Sequence, residues 1–162
     1  MLRWESYRAV YGAELRAAAR EYSDHGWPVV GACSAGLLLA TGTALDVVEV
    51  SAAVGRRVCA QLRAAGLAVP VAATPTGTWW FPVTAGAVLP AALRERADVV
   101  LHTDGAAVLA PPSETPDGWV HWRVAPALSG YRPSSSELII AAVTAAVRAH
   151  ESDRLPAVAG RP

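Results

Sequence analysis

Carboxylates at the end of a buried strand hold divalent ions in many α/β enzymes. Residues 41–66, TGTALDVVEVSAAVGRRVCAQLRAAG, place Asp46 and Glu49 in such a strand, with Ser51 opening the helix that follows. The two acids are three residues apart, and side chains alternate along a strand, so a regular strand sends them to opposite faces. They do not readily share a metal, and Asp46 reads as structural or solvent-facing. Asp98 and Asp104 are the other acids near strand-like runs. Asp104 precedes Gly105 and reads as a turn residue.

Other chemistries are offered more weakly. Indoles stack on bases in single-strand sites, and Trp79, Trp80, Trp119 and Trp122 are available. Trp79 and Trp80 are adjacent and must face opposite ways, so one is core and the other is exposed, covered by a helix or used for binding. Arg56, Arg57 and Arg63 sit on the helix after the central strand, where they can contact phosphate or simply be solvated. ACSAG (32–36) is a near variant of the hydrolase nucleophile elbow, but residues 37–42 do not make the helix that an elbow requires. His25, His102, His121 and His150 fall at no ligand spacing and read as structural or exposed. Cys33 and Cys59 indicate neither a disulfide framework nor a zinc module. No metal site follows from these residues alone.

The elements that must position these groups are legible from periodicity. Residues 2–25 suit an amphipathic helix with Tyr7, Val10, Tyr11, Leu15, Ala18 and Ala19 on one face, ended by Gly26. Residues 29–33 and 37–40 read as strands paired through a Ser-Ala-Gly turn, and 44–50 as the central strand. Ser51 is placed to cap a helix carrying Val54, Val58 and Leu62 and stopped at Gly66. Residues 68–73 and 78–83 form a hairpin around a Pro and Gly turn, and 87–96 a short helix with Pro90 in its first turn. Residues 98–102 and 106–110 look like another hairpin around Thr103-Asp104-Gly105. Residues 119–124 alternate as a strand, and Ser134 with Glu137 has capping-box spacing for a last helix. The domain is expected over residues 1–150, with 151–162 a flexible tail. The class is α+β, a mixed or mainly antiparallel sheet flanked by helices.

Composition sets the outer limits. With 52% hydrophobic residues over 162, the chain can bury a real core. Fourteen basic residues, all Arg, balance fourteen acids, so any contact with DNA must be local. No apolar run approaches a membrane span and the N-terminus lacks a signal-peptide pattern, which points to a cytoplasmic protein.

The order GWPVV (26–30), TGTALDVVEV (41–50), ATPTGTWWF (73–81), DGAAVLAPPS (104–113) and WVHWR (119–123) resembles the bifunctional DNA primase/polymerase N-terminal domain, Prim-Pol, of the archaeo-eukaryotic primase superfamily. The resemblance covers roughly residues 17–125. It implies a Prim-Pol-like fold and nucleotidyl transfer by two Mg²⁺ or Mn²⁺ ions held by clustered carboxylates. Catalytic members carry a D-x-D or D-x-E pair on the central strand, a Ser-x-His-like motif for the triphosphate, and a further Asp on a later strand.

This chain departs at each place. Glu49 and Ser51 occupy the paired acidic positions, Trp79 and Trp80 follow Thr76-Gly77-Thr78 where His is expected, and Val100 or Leu101 stands at the third acid. The basic Gly and Pro loop of the family is absent between the first strand and the TG motif. The leading expectation is therefore a degenerate member that binds DNA or a nucleotide, or another protein, in DNA-related metabolism, without a cofactor. One alternative is an active primase or polymerase using Glu49 with Asp46, Asp98 or Asp104 and Mg²⁺ or Mn²⁺. The other is a protein-interaction scaffold without nucleic acid.

Overall fold

The computed structural model describes residues 2–32 and 36–155, and side chains over 12–31 and 36–155. The elbow-like residues Cys33, Ser34 and Ala35, the side chains of Tyr7, Val10 and Tyr11, and residues 156–162 lie outside them. Among the described residues four α-helices, α1 (Leu2–Asp24), α2 (Ala52–Ala64), α3 (Ala91–Arg94) and α4 (Ser136–Arg154), accompany ten strands. The strands are β1 (Val29–Ala32), β2 (Leu37–Ala40), β3 (Asp46–Ser51), β4 (Val71–Ala73), β5 (Thr78–Val83), β6 (Val99–His102), β7 (Ala107–Leu109), β8 (Glu114–Thr115), β9 (Gly118–Trp119) and β10 (His121–Val124).

The α+β class is realised with every strand pair antiparallel. A five-stranded sheet runs β10-β4-β5-β3-β6, a three-stranded sheet β1-β2-β7, and β8-β9 form a ribbon. β3 is β-branched and apolar on both faces because both are covered. Val48 and Val50 join Phe81, Val83, Val54, Val58, Ile139 and Val143 in one core beneath α2 and α4. Val47 and Trp80 join Leu15, Tyr22, Leu37 and Leu39 in a second core toward α1 and the three-stranded sheet. Each fully buried aliphatic side chain contributes about 1.5–3 kcal/mol, so these two layers hold the sheet from either side.

The local signals set the starts and stops. Ser51 caps α2, its Oγ accepting from Val54 N at 3.4 Å, and Gly66 takes φ +75° just after the helix, a conformation open to glycine without a Cβ penalty. The β4–β5 hairpin closes where Thr74 N donates to Thr78 O at 2.9 Å.

Five expectations need correction. Residues 98–110 are not a hairpin: β6 pairs with β3 and β7 with β2, so the Thr103–Gly105 turn carries the chain from one sheet to the other. The last helix is capped by Ser135, not Ser134, because the Ser134 backbone bonds instead to β5, its N donating to Pro82 O at 3.1 Å and its O accepting from Thr84 N at 2.9 Å. The 119–124 run breaks at Val120, whose N donates to Ser113 O at 2.8 Å, which separates the ribbon from β10. α4 continues to Arg154, beyond His150. In the short helix α3, Pro90 is the N-cap, just ahead of the first turn.

Candidate functional site

Alternation along β3 puts Val47, Glu49 and Ser51 on one face and Asp46, Val48 and Val50 on the other. Register completes the first face: Ser51 lies opposite Thr78, Glu49 opposite Trp80 and Val100, and Val47 opposite His102. A polar group thus forms where β3 runs into α2. Thr78 Oγ1 donates to Glu49 Oε1 at 2.5 Å, and His102 Nε2 pairs with Glu49 Oε2 at 2.6 Å. The imidazole hydrogen bond holds the Glu49 carboxyl below its ordinary range, burial opposes it, and Thr78 adds to the lowering. A hydroxyl chain extends the group, Thr78 to Thr74 at 2.8 Å and Thr74 to Thr76 at 2.9 Å. Glu49 and His102 side chains are 25% and 23% exposed, so the pair stands at the surface of the domain.

The other acids go elsewhere. Asp46 is fully buried on the opposite face, where its Oδ2 accepts from Gly86 N and Ala87 N, each at 2.9 Å. Asp98 pairs with Arg96 at 2.8 and 3.0 Å, and the same guanidinium reaches Glu151 of α4. The Arg96 hydrogen bond holds the Asp98 carboxyl low. Asp104 is exposed on its turn and packs so tightly on Gly42 that a Cβ there would lie 2.4 Å from Asp104 Cα. Among the described residues no three of His, Cys, Asp or Glu gather as a metal would require.

Neither Trp79 nor Trp80 offers a free ring. Trp79 is 7% exposed, pressed against Gly55 of α2 with Arg123 above its ring, and Trp80 is 1% exposed against Trp122. The strand carrying them is covered on both faces, so each alternate indole meets a core and no base can stack on either without repacking. Trp119 is the exposed member of the four, at 43%. Arg57 pairs with Asp153 of α4, while Arg56 is exposed.

A protein-family model described as bifunctional DNA primase/polymerase, N-terminal, matches residues 12–136. The chain belongs to that family. Membership ties it to DNA primase and polymerase function at the level of the domain. Neither the curated proteins nor the solved structures yield a match.

Val100, not Leu101, shares the Glu49 face, and Trp80 rather than Trp79 is the indole beside Glu49. His102, which sequence spacing left without a role, is the residue brought to Glu49; only the pairing of β6 with β3 reveals it. The residues do not fit a two-ion centre. Among the described residues Glu49 has a hydrogen bond on each oxygen and no second acid joins it and His102, while Ser51 beside it is a neutral hydroxyl engaged in capping α2. No helix among the described residues is long and apolar enough to cross a membrane.

Proposed function

We propose that this is a Prim-Pol domain that has lost nucleotidyl transfer and serves as a binding or regulatory module in DNA-related metabolism. The observation that carries the reading is the state of Glu49, whose two oxygens are taken by Thr78 and His102. Two-metal transfer needs several carboxylates around ions roughly 4 Å apart, and Asp46, Asp98 and Asp104 each serve another part of the fold. Ser51 supplies only a neutral oxygen. Each missing metal function costs several kcal/mol of transition-state charge stabilisation, and every 1.4 kcal/mol is about tenfold in rate. DNA or a nucleotide is the partner class in this reading.

The test is extension of a primed template by the purified chain with deoxynucleotides and Mg²⁺ or Mn²⁺. No template-dependent extension and no primer synthesis are expected. Extension that disappears in Glu49→Ala would overturn the reading, and extension indifferent to that change would mark a contaminating polymerase.

A further inference from the structure

The sheet face opposite Glu49 carries a concentration of positive charge that the neutral composition conceals. α2 presents Arg56, Cys59 and Arg63 at spacings of three and four, hence on one side of the helix. Arg123 reaches the same place from β10, at the sheet edge. Together they enclose a cavity of about 240 Å³ backed by Val71 and Trp79. Arg123 is held there, its Cζ 4.5 Å from the centroid of the Trp79 ring. The ring in turn is seated by the glycine of α2, since a Cβ at Gly55 would come within 2.8 Å of it.

Among the described residues these guanidiniums have no counterion: no carboxylate pairs with Arg56, Arg63 or Arg123, whereas Arg57 has one such partner and Arg96 two. Burial raises the Cys59 thiol while Arg63 and Arg123 both pull it down, so two of the charges act on one sulfur. Like charges gathered in a concavity repel unless an anion joins them, and the planar arginine fork matches phosphate with paired hydrogen bonds.

A second cavity, of about 260 Å³, adjoins the first and shares Cys59, Arg63 and Val124. Its remaining wall is mainly apolar, including Leu62, Leu67 and Val69. Each cavity alone falls below the roughly 300 Å³ at which small-molecule sites begin, and the two side by side exceed it. A ligand filling both has a phosphate at one end and an apolar or flat body at the other.

We propose that Arg56, Arg63 and Arg123 form a phosphate site for a nucleotide, with its base in the apolar cavity beside Leu62 and Val69. The site needs no metal ion. Its phosphate comes from a free nucleotide or from the backbone of a single strand, and the two sources are separable.

Calorimetry on the full chain at low salt with EDTA provides the test, using dATP, deoxyadenosine, pyrophosphate and a thymidine oligonucleotide. dATP is expected to bind, with pyrophosphate and deoxyadenosine at least tenfold weaker, and Arg63→Gln and Arg123→Gln each weakening dATP about tenfold. Arg56→Gln, on the exposed helix surface, provides a variant with little risk to folding and should weaken binding several-fold. Bound dATP should also slow maleimide labelling of Cys59, located by peptide mass. An oligonucleotide that binds more tightly than dATP, displaces it and loses affinity in Arg63→Gln would support the site with a strand as its phosphate source. No binding of either probe, or binding unchanged in both Arg63→Gln and Arg123→Gln, would overturn the proposal. Because the site lies on the other face from Glu49, dATP binding lost in Glu49→Ala but kept in Arg63→Gln would also overturn it. Primer extension tests the loss of transfer separately.

Discussion

The corner at Ala110-Pro111-Pro112-Ser113 and the Glu49–Ser51 end of β3 are both family-matched stretches, and both hold polar groups that are fully engaged within the chain. At the corner the engagement is buried. Ser113 Oγ accepts from Leu37 N at 2.9 Å and donates to Ala110 O, while Tyr22 Oη donates to Pro111 O at 2.7 Å and accepts from Trp122 Nε1 at 2.9 Å. These bonds join α1, β2 and β10 around Trp27, Trp122 and Tyr131. At the end of β3 the partners are a threonine hydroxyl and an imidazole, partly open to water. The contrast shows that the end of the DGAAVLAPPS stretch (104–113), one of those carrying the resemblance, is a packing motif. A chain can keep it, and with it the fold, while the chemistry on the neighbouring strand changes.

Trp80 tests the comparison hardest, since its place in the chain assigns it to the site and its burial to the scaffold. Trp80→Ala should cost about 3–5 kcal/mol in urea unfolding, the range for removing a buried aromatic side chain. A loss below about 1 kcal/mol would mean that the ring packs loosely enough to serve a ligand. The Nε1 of Trp80 has no hydrogen-bond partner among the described residues. Trp80→Phe, which removes that buried donor, should therefore recover a substantial part of the loss.

How far these roles could be read from sequence depended on the range of the interactions involved. α2 was legible because its signals are local: Ser51 at the cap, Val54, Val58 and Leu62 at helical spacing, and Gly66 after the end. The β4–β5 hairpin was legible for the same reason. The separation of β6 from β7 was not, because Thr103-Asp104-Gly105 has the composition of a hairpin turn. What decides it is distant: Thr41 N donates to Ala106 O at 3.0 Å, Thr41 Oγ1 to Thr103 O at 2.6 Å, and Gly42 leaves room for Asp104. His102 inherited the same obscurity, since its neighbour Glu49 is known only once β6 lies beside β3. The adjacent tryptophans face opposite ways as strand alternation requires, but the second cover, from α1 and the three-stranded sheet, is a tertiary fact.

A smaller effect compares the two serines. Ser113→Ala leaves the Leu37 amide buried without its acceptor and should cost about 1–3 kcal/mol. Ser51→Ala removes only a long capping bond and should fall near the lower end of the roughly 0.5–2 kcal/mol range for caps. Chemical denaturation of the two variants checks the order. Equal losses would erase the distinction between a buried scaffold corner and a partly open site.

The smallest effect concerns the Glu49 pair and is visible mainly through its pH dependence. The folded carboxyl is held below its unfolded value, first by His102 and then by Thr78. A depressed carboxyl pKa contributes stability that is present above the unfolded value, near pH 4.3, and is lost as pH falls through the folded value. Glu49→Gln removes this titration but keeps an oxygen for Thr78 or His102. The wild-type chain should therefore exceed Glu49→Gln by about 1 kcal/mol near neutral pH, reduced from the value of a buried charged hydrogen bond because the pair is partly solvated. The gap should narrow steadily below about pH 4.3. Denaturant midpoints of both proteins from neutral to acid pH give the comparison directly, since the other carboxylates cancel in the difference. A gap that stays constant across that range would mean that the carboxylate is not engaged by His102 and Thr78 in solution. Glu49 would then be free to serve a ligand, and the main support for lost transfer would go with it.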